Sequence, residues 1–233
     1  MKRFLDIVAS ALGLLVLSPV LGVVLFRIWL QDGHSPFYLG ERAARGGGRF
    51  LMVKIRSMIE NADSTGVEST GAADNRITPF GHFIRRWKLD EIPQLWNVLK
   101  GDMSLVGPRP NTLREVAKYS STEVRLLSVR PGITDIASIV FSDEGEILRD
   151  AANPDEAYEH LIRPWKSRLG ILYAENANII LDLRLIYLTV LAIADRRRAL
   201  IGVQSILRDL RASDDLKFVA RREHALEPPI AVL

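Results

Sequence analysis

Cysteine is absent from the 233 residues of this chain. Without a thiol there is no disulfide framework, no zinc–thiolate or iron–sulfur site and no cysteine nucleophile. Aromatic residues are also scarce, at 7% of the chain, although 48% of the residues are hydrophobic. Most of the hydrophobic residues are therefore aliphatic. The high apolar fraction excludes a chain that is disordered throughout.

A strong excess of one charge is missing as well, because the net charge is only +3. Residues 1–58 contain eight Lys or Arg against three Asp or Glu, whereas residues 59–233 contain 23 against 25. The basic character therefore belongs to the N-terminal quarter. A duplex-binding domain usually carries a denser basic stripe and a recognisable reading motif. We therefore expect no nucleic-acid partner.

The 20 residues from Ile7 to Phe26 carry no charge. As a helix they would extend about 30 Å, the thickness of a bilayer core. A cleaved signal peptide is disfavoured, because the run is long and no small-residue cleavage site follows it. Basic residues flank the run on both sides, so the positive-inside rule gives a spanning helix no clear orientation.

A helix that enters the membrane and returns to the same face is the other interpretation. Pro19 has no N–H for the carbonyl of Leu15, and the Ser18 hydroxyl can compensate for that loss. Each half of the segment would extend roughly 17 Å, about half of the hydrocarbon core. The residues alone leave the re-entrant and the spanning helix equally open.

The rest of the chain predicts a mainly helical α+β fold with a small sheet. Rough alternation predicts a strand over 49–58, and a short strand is expected at Phe37-Tyr38. Helices are predicted over 79–87, 91–100, 155–178 and 180–198, with two short ones within 112–128. The apolar run 179–194 contains two charged residues and is therefore interpreted as a buried or interfacial helix.

Two neighbouring carboxylates, Asp90 and Glu91, open the predicted helix over 91–100. Asp90 occupies the expected N-cap, and Pro93 falls in the first turn, where its missing N–H has no partner to lose. Adjacent helical side chains point about 100° apart, so the two acids suit different tasks, such as nucleophilic attack and metal binding. The simpler alternative is a helix cap beside a solvated acid.

Arg109 lies between Pro108 and Pro110, which restrict the backbone on both sides of it. A guanidinium held in this way suits bidentate recognition of phosphate. Lys54 and Arg56 add two more cations from the predicted strand. Since phosphoryl transfer depends on positioning and charge neutralisation, these residues indicate chemistry on a phosphorylated lipid or nucleotide. A surface turn and a solvated strand face are the alternatives.

At these residues the chain resembles the bacterial sugar transferases, the small monotopic phosphoglycosyl transferases that attach sugar 1-phosphates to polyprenyl phosphates. The resemblance covers roughly residues 1–195. The segments that match the family are Lys2-Arg3-Phe4-Leu5-Asp6, Ser18-Pro19, Lys54-Ile55-Arg56-Ser57-Met58, Leu89 through Leu95, and Gly101 through Pro110.

The resemblance implies a re-entrant membrane hairpin over 1–30, made of two helices broken at Ser18-Pro19. It implies a catalytic domain over 31–200 with interfacial amphipathic helices, and a C-terminal extension over 201–233. The catalytic domain would lie on the cytoplasmic face of the bacterial inner membrane. A homodimer is left open.

The resemblance also implies a two-step reaction. Asp90 would attack the β-phosphate of a UDP-sugar and release UMP, and undecaprenyl phosphate would then take the phosphosugar. Glu91 would bind Mg²⁺. The remaining candidates, Lys54, Arg56, Arg109 and Pro110, would support the phosphates.

The chain departs from the sequence pattern of the family at three places. The stretch Asp135-Ile136-Ala137-Ser138 replaces the Gly-x-Ala-Gln of many members, and Ser142 and Gly170 stand near positions where some members carry Arg and Asp. Ser142 and Gly170 raise the alternative of a weakened, non-catalytic scaffold of a glycan assembly complex. A separate alternative is a membrane-bound phosphatase or hydrolase in which water replaces the lipid acceptor.

Overall fold

The N-terminal helix α1 (Lys2–Asp32) runs through Pro19 without interruption in the computed structural model, which describes residues 1–62, 71 and 74–229. The Ser18 hydroxyl donates a hydrogen bond of 2.8 Å to the carbonyl of Leu15, as predicted. The expected arrangement of two helices and a break is therefore one helix. Proline removes a single backbone donor, and a side chain replaces it.

Both ends of α1 contact the globular part of the protein. Near the N-terminus, Arg3 donates to the carbonyls of Val98 and Leu99. Toward the C-terminus, Val24 and Ile28 are buried in one cluster with two residues of the globular part, Ile55 and Ile84. The large apolar side chains exposed between these ends are Ile7, Val8, Leu12, Leu15, Val16, Val20 and Val23.

Among the described residues, α1 is the one helix long and apolar enough to cross a membrane. Contacts of both ends with the same globular part are what the re-entrant interpretation requires. The re-entrant and the spanning interpretations both stay predictions, which topology mapping tests.

A β-hairpin follows α1, formed by β1 (Phe37–Ala43) and antiparallel β2 (Arg49–Ile55). The Asn97 side chain fixes this hairpin to the next layer: its amide donates to the carbonyl of Leu51 at 2.7 Å and accepts from the N–H of Val53 at 2.9 Å. The neighbouring residue of β2, Lys54, is thereby held over the segment that contains Asp90.

Helix α2 (Pro79–Arg86) leads to a 3₁₀ turn at Leu89–Glu91 and then to α3 (Gln94–Lys100). The N-cap position of α3 is Pro93, so the predicted N-cap role of Asp90 is wrong. Lys88 has a left-handed backbone, with φ of 55°, and reverses the chain just before Asp90. The reversal places Asp90 inside the 3₁₀ turn.

Strand β3 (Ser104–Val106) pairs in parallel with β4 (Gly132–Thr134). Short 3₁₀ helices lie at Arg45–Gly47 and Glu123–Ser128, and a π-helical turn at Tyr158–Ile162. The remaining helices are α4 (Leu113–Val116), α5 (Ile136–Val140), α6 (Glu144–Ile147), α7 (Pro154–Ala157), α8 (Arg163–Asn176), α9 (Ile179–Ala194), α10 (Arg196–Asp209) and α11 (Asp214–Val219).

The largest hydrophobic core joins α5, α8, α9, α10 and α11. The helix predicted over 180–198 ends at Ala194, because Asp195 accepts a hydrogen bond from the N–H of Arg198 and starts α10. The predicted domain limits stay predictions; residues up to Ala220 share this core, and residues 230–233 lie outside the described part.

Helix α9 has two apolar faces. The inner face contributes Leu181, Leu185 and Leu188 to the core, and Asp182 is fully buried beside them. The outer face exposes Ile180, Leu183, Tyr187, Val190 and Ile193. An exposed apolar stripe of this kind is typical of a surface that meets a membrane or a partner.

The charged residues that precede the apolar run are bound to the core. Lys2 Nζ lies 2.6 Å from the buried carboxylate of Asp182 and donates to the carbonyl of Val106 at 3.0 Å. Asp6 accepts from the Ser104 hydroxyl and from the N–H of Leu105 at 3.0 Å. These contacts hold strand β3 against the start of the membrane helix.

This arrangement predicts the result of cysteine labelling, which is simple because the native chain has no cysteine. In spheroplasts, a membrane-impermeant maleimide should label neither Phe4→Cys nor Gln31→Cys, and in inverted vesicles it should label both. Glu223→Cys, on the exposed surface of the globular part, is the reference and should follow the same pattern. Labelling of Phe4→Cys from the side opposite to Gln31→Cys would establish a spanning helix.

Candidate active site

Arg109 is positioned by a close approach of two loops. Gly107 follows β3 and Gly132 begins β4; a Cβ atom at Gly132 would lie only 2.1 Å from the backbone nitrogen of Gly107. A Cβ at Gly107 would lie 2.3 Å from the carbonyl oxygen of Arg130. Glycine is therefore required at both positions, and the rigid Pro108-Arg109-Pro110 segment starts from this contact.

The guanidinium of Arg109 makes a bidentate ion pair with Glu91. Its two nitrogens lie 2.8 and 3.1 Å from the carboxylate oxygens, and one of them also donates to the carbonyl of Ile133 at 3.1 Å. Burial opposes the ionisation of Glu91, but the charges of Arg109 and Lys54 outweigh it and lower its pKa. Glu91 is therefore ionised at neutral pH.

The pKa of Asp90, the neighbour of Glu91, is shifted in the opposite direction. Its side chain is buried, and Oδ1 has no hydrogen-bond partner among the described residues. Burial and then the negative charge of Glu91 raise the pKa of Asp90, while Lys54 and Lys88 oppose the shift. A carboxylate kept short of partners in this way retains free lone pairs for chemistry.

Gln94, four residues after Asp90, is a further candidate that the sequence analysis missed. It is fully buried, and neither atom of its amide has a partner among the described residues. Buried polar groups without partners are rare in folded proteins, and they concentrate at functional sites. Its spacing of four residues from Asp90 was the available signal.

Lys54 completes the cluster. It lies on β2, and burial lowers its pKa, while the attraction of Glu91 and Asp90 partly restores it. The structure therefore brings together four of the predicted residues: Lys54, Asp90, Glu91 and Arg109. Lys88, which acts on both carboxylates, was not predicted.

Arg56 is not brought to this cluster. Its guanidinium pairs with Asp32 at 2.6 and 2.7 Å and ties the end of α1 to the segment after β2. This ion pair lowers the pKa of Asp32. The positive charges that act on Asp90 come instead from Lys54, Lys88 and Arg85.

The other predicted residues have different surroundings. Pro110 lines a shallow groove together with Arg109 and Asn111, so its place is beside the guanidinium. Ser18 and Pro19 are exposed in the middle of α1, outside the charged cluster.

An open pocket adjoins Arg109, with about 400 Å³ of empty space when the solvent at its mouth is included. Its walls include Asp135, Ser138, Tyr158 and Lys166, none of which was predicted as a site residue. Lys166 forms an ion pair with Glu144, and this pairing overcomes the effect of burial and raises the lysine pKa. These residues come from segments far from Asp90 in sequence, so local patterns did not reveal them.

The two family departures at Ser142 and Gly170 have packing roles here. The Ser142 hydroxyl accepts a hydrogen bond of 2.9 Å from Arg196. Gly170 lies against the pocket wall, where a Cβ would be 2.8 Å from Leu126 Cδ2 and 3.5 Å from Pro108 Cβ. Neither residue disturbs the carboxylate cluster, and so neither favours the non-catalytic scaffold.

Within the described residues, no group of three acidic or histidine side chains could hold a metal ion by itself. Both oxygens of Glu91 are engaged by Arg109. Mg²⁺ usually needs only one or two protein carboxylates when substrate phosphates supply the other ligands. Glu91 would therefore have to exchange one Arg109 contact to hold such an ion together with substrate phosphates.

Paired carboxylates, a constrained arginine and a buried lysine next to a membrane helix are suited to group transfer on phosphates. The model of the bacterial sugar transferase family matches residues 1–196. The chain therefore belongs to the bacterial sugar transferase family.

Individual relatives agree with this assignment. The chain is 33% identical over 190 residues to the uncharacterized sugar transferase EpsL of Bacillus subtilis, a match that covers 82% of this chain and 85% of EpsL. It is 42% identical over 149 residues to the galactosyl transferase CpsE of Streptococcus agalactiae, covering 59% of this chain and 33% of CpsE.

A third relative is the undecaprenyl-phosphate galactose phosphotransferase of Salmonella typhimurium, with 37% identity over 151 residues. That match covers 58% of this chain and 32% of the relative. The chain thus spans about a third of the length of CpsE and of the Salmonella protein.

The electrostatics of Asp90 predict a stability effect. A carboxyl group whose pKa is raised by folding costs stability above its unfolded pKa, near 3.9, and the cost is complete above its folded pKa. Asp90→Asn should therefore raise the free energy of unfolding by about 0.5–2 kcal/mol at pH 7.5. The gain should disappear as the pH falls toward 4.

Denaturant unfolding in detergent, followed from pH 4 to pH 8, measures this effect. Asp214→Asn is the matched control, because Asp214 is fully exposed and loses the same charge. A loss of stability in Asp90→Asn at pH 7.5, or a gain independent of pH, would contradict the assigned electrostatic state.

Proposed function

We propose that this protein transfers a sugar 1-phosphate from a UDP-sugar to a polyprenyl phosphate such as undecaprenyl phosphate, releases UMP and thereby initiates the assembly of a glycan. The observation that carries the proposal is the buried, partner-poor Asp90 beside the Glu91–Arg109 ion pair. The activities for which relatives are named, including the Salmonella undecaprenyl-phosphate galactose phosphotransferase, support the reaction class.

In the first step an oxygen of Asp90 attacks the β-phosphorus of the UDP-sugar. The bond between that phosphorus and the bridging oxygen breaks, and UMP leaves with the electron pair. The product on the protein is a mixed anhydride of the Asp90 carboxyl and the sugar phosphate. In the second step a phosphate oxygen of the polyprenyl phosphate attacks the same phosphorus and frees Asp90.

The cations of the site are needed because a carboxylate and a diphosphate repel each other. Lys54 and Arg109 both interact with the acidic pair and can neutralise the charge that develops on the phosphate oxygens. We propose that Glu91 shares its carboxylate with Mg²⁺ when substrate is bound, which supplies further neutralisation of the diphosphate. Arg109 then exchanges one carboxylate contact for a phosphate oxygen.

Two exposed apolar surfaces support a lipid acceptor. Helix α1 and the exposed stripe of α9 are apolar, so both can insert at the surface from which a polyprenyl phosphate presents its head group. Lys2 and Asp6 join α1 to β3, the strand that leads to Arg109. We propose the cytoplasmic face of the bacterial inner membrane as the location, because sugar nucleotides are made in that compartment.

The nucleophile is tested by replacing Asp90 with Asn. UMP release from UDP-sugars in the presence of Mg²⁺ and undecaprenyl phosphate should fall roughly 10³-fold or more, since no alternative carboxylate replaces it. Intact-protein mass spectrometry should detect a phosphosugar adduct on the wild type in the absence of acceptor and none on Asp90→Asn. Asp214→Asn serves as the charge-matched control.

Three outcomes would contradict the proposal: no UMP from any common UDP-sugar, full activity of Asp90→Asn, or free sugar phosphate without a lipid product. The last result would identify a hydrolase.

The metal proposal predicts a separate change for Glu91→Gln. The Mg²⁺ concentration needed for half-maximal UMP release should rise at least tenfold, because the amide retains the shape but loses the charge. Glu223→Gln, at an exposed position, should not alter this concentration. An unchanged Mg²⁺ dependence in Glu91→Gln would show that the carboxylate does not bind the ion.

A further inference from the structure

The pocket beside Arg109 has a carboxylate in its wall that the proposed mechanism does not use. Asp135 lines this pocket together with Ser138, Tyr158 and Lys166, although only 2% of its surface is exposed. Burial raises the pKa of Asp135, and the charges of Lys166 and Arg109 partly oppose the shift. A buried acid between two cations, facing an open pocket, requires an explanation.

The two oxygens of Asp135 have different surroundings. Oδ1 accepts hydrogen bonds from the N–H and the hydroxyl of Ser138, at 2.7 and 2.6 Å. Oδ2 has no hydrogen-bond partner among the described residues, and it is not sealed inside the protein. The second oxygen is therefore available to a molecule in the pocket.

A role in helix capping explains the contacts of only one of the two carboxylate oxygens of Asp135. Asp135 is the N-cap of α5, and capping needs a single oxygen that accepts from the backbone, which Oδ1 provides. Serine or asparagine caps a helix about as well as aspartate. The cap therefore accounts for neither the second oxygen nor the negative charge.

The chemistry of the pocket restricts the partner of Oδ2. An ionised carboxylate only accepts hydrogen bonds and repels a phosphate, so its partner must be a donor such as a hydroxyl group. Arg109 is the group that both lines the pocket and contacts Glu91 of the proposed transfer site. A phosphate bound near Arg109 would place an attached sugar ring in reach of Asp135. The Tyr158 hydroxyl stays protonated, since burial raises its pKa to about 12.

We propose that Asp135 is a specificity-determining residue, whose Oδ2 accepts a hydrogen bond from a sugar hydroxyl of the sugar nucleotide. The inference rests on the proposed function and adds to it the group that selects the substrate. Both the transferred sugar and the ribose carry hydroxyls of the required chemistry, so the experiment has one arm for each source.

The test compares Asp135→Ser and Asp135→Asn with the wild type. Both variants keep a helix cap; serine removes Oδ2, and asparagine replaces one acceptor with a donor. The probes are UDP-glucose, UDP-galactose and their N-acetylated counterparts, assayed by UMP release, together with UMP binding by calorimetry. Asp195→Ser is the matched control, because Asp195 caps α10 through the N–H of Arg198 in the same manner.

A contact with the transferred sugar predicts that kcat/KM for the best UDP-sugar falls at least tenfold in both Asp135 variants. For UDP-sugars that lack or invert the contacted hydroxyl, kcat/KM should change less than twofold. The ratio of kcat/KM between the best and the other UDP-sugars therefore decreases, and the affinity for UMP should be unchanged. A contact with the ribose predicts an equal fall for all UDP-sugars and at least tenfold weaker UMP binding. Either pattern supports the proposal.

The proposal is overturned if kcat/KM for every UDP-sugar and the UMP affinity stay within twofold of the wild type in both variants. It is also overturned if Asp195→Ser reproduces the losses, because they would then follow from helix stability alone. Thermal unfolding identifies any variant with a folding defect. If Asp135→Ser has one, the kinetic and binding results of Asp135→Asn, the variant nearest in shape to the wild type, decide between these outcomes. If the wild type itself releases no UMP, the proposed function fails, which is a distinguishable result.

Discussion

The bidentate ion pair between Glu91 and Arg109 is the interaction on which the site depends. It connects the 3₁₀ turn before α3 with the segment after β3, two parts of the chain that share no local structure. By neutralising Glu91, Arg109 allows a second carboxylate, Asp90, to be buried next to the first. Without the arginine, two adjacent buried negative charges would oppose folding at neutral pH.

Hydrogen bonds and ion pairs connect both ends of the membrane helix to the segments that carry the charged cluster. Lys2 and Asp6 bind β3, and Arg109 follows that strand after three residues, while Arg56 holds the other end of the helix through Asp32. The basic residues around the apolar run are thus used for protein contacts as well as for charge. A helix tied at both ends keeps the carboxylates at a fixed distance from the surface it enters.

The pocket beside Arg109 and the carboxylate cluster are joined through one residue. Gly170 lies against the wall of this pocket, the Ser142 hydroxyl accepts from Arg196, and Asp135 places a carboxylate in the wall. Arg109 lines the pocket and also pairs with Glu91 of the cluster. In the proposed reaction, selection of the sugar nucleotide and transfer of the phosphate would therefore use adjoining parts of one site.

The sequence by itself determined the uncharged run from Ile7 to Phe26, the short helices around the acidic pair and the family, because these are recorded in local spacing and composition. It also identified Lys54, Asp90, Glu91 and Arg109. Only the tertiary structure decided that Arg56 pairs with Asp32, that α1 continues through Pro19, that the Gln94 amide is buried without partners, and that Asp135 lines the pocket. Periodicity reports which face of a helix or strand is buried, but the nearest opposite charge comes from a distant segment that the pattern does not specify.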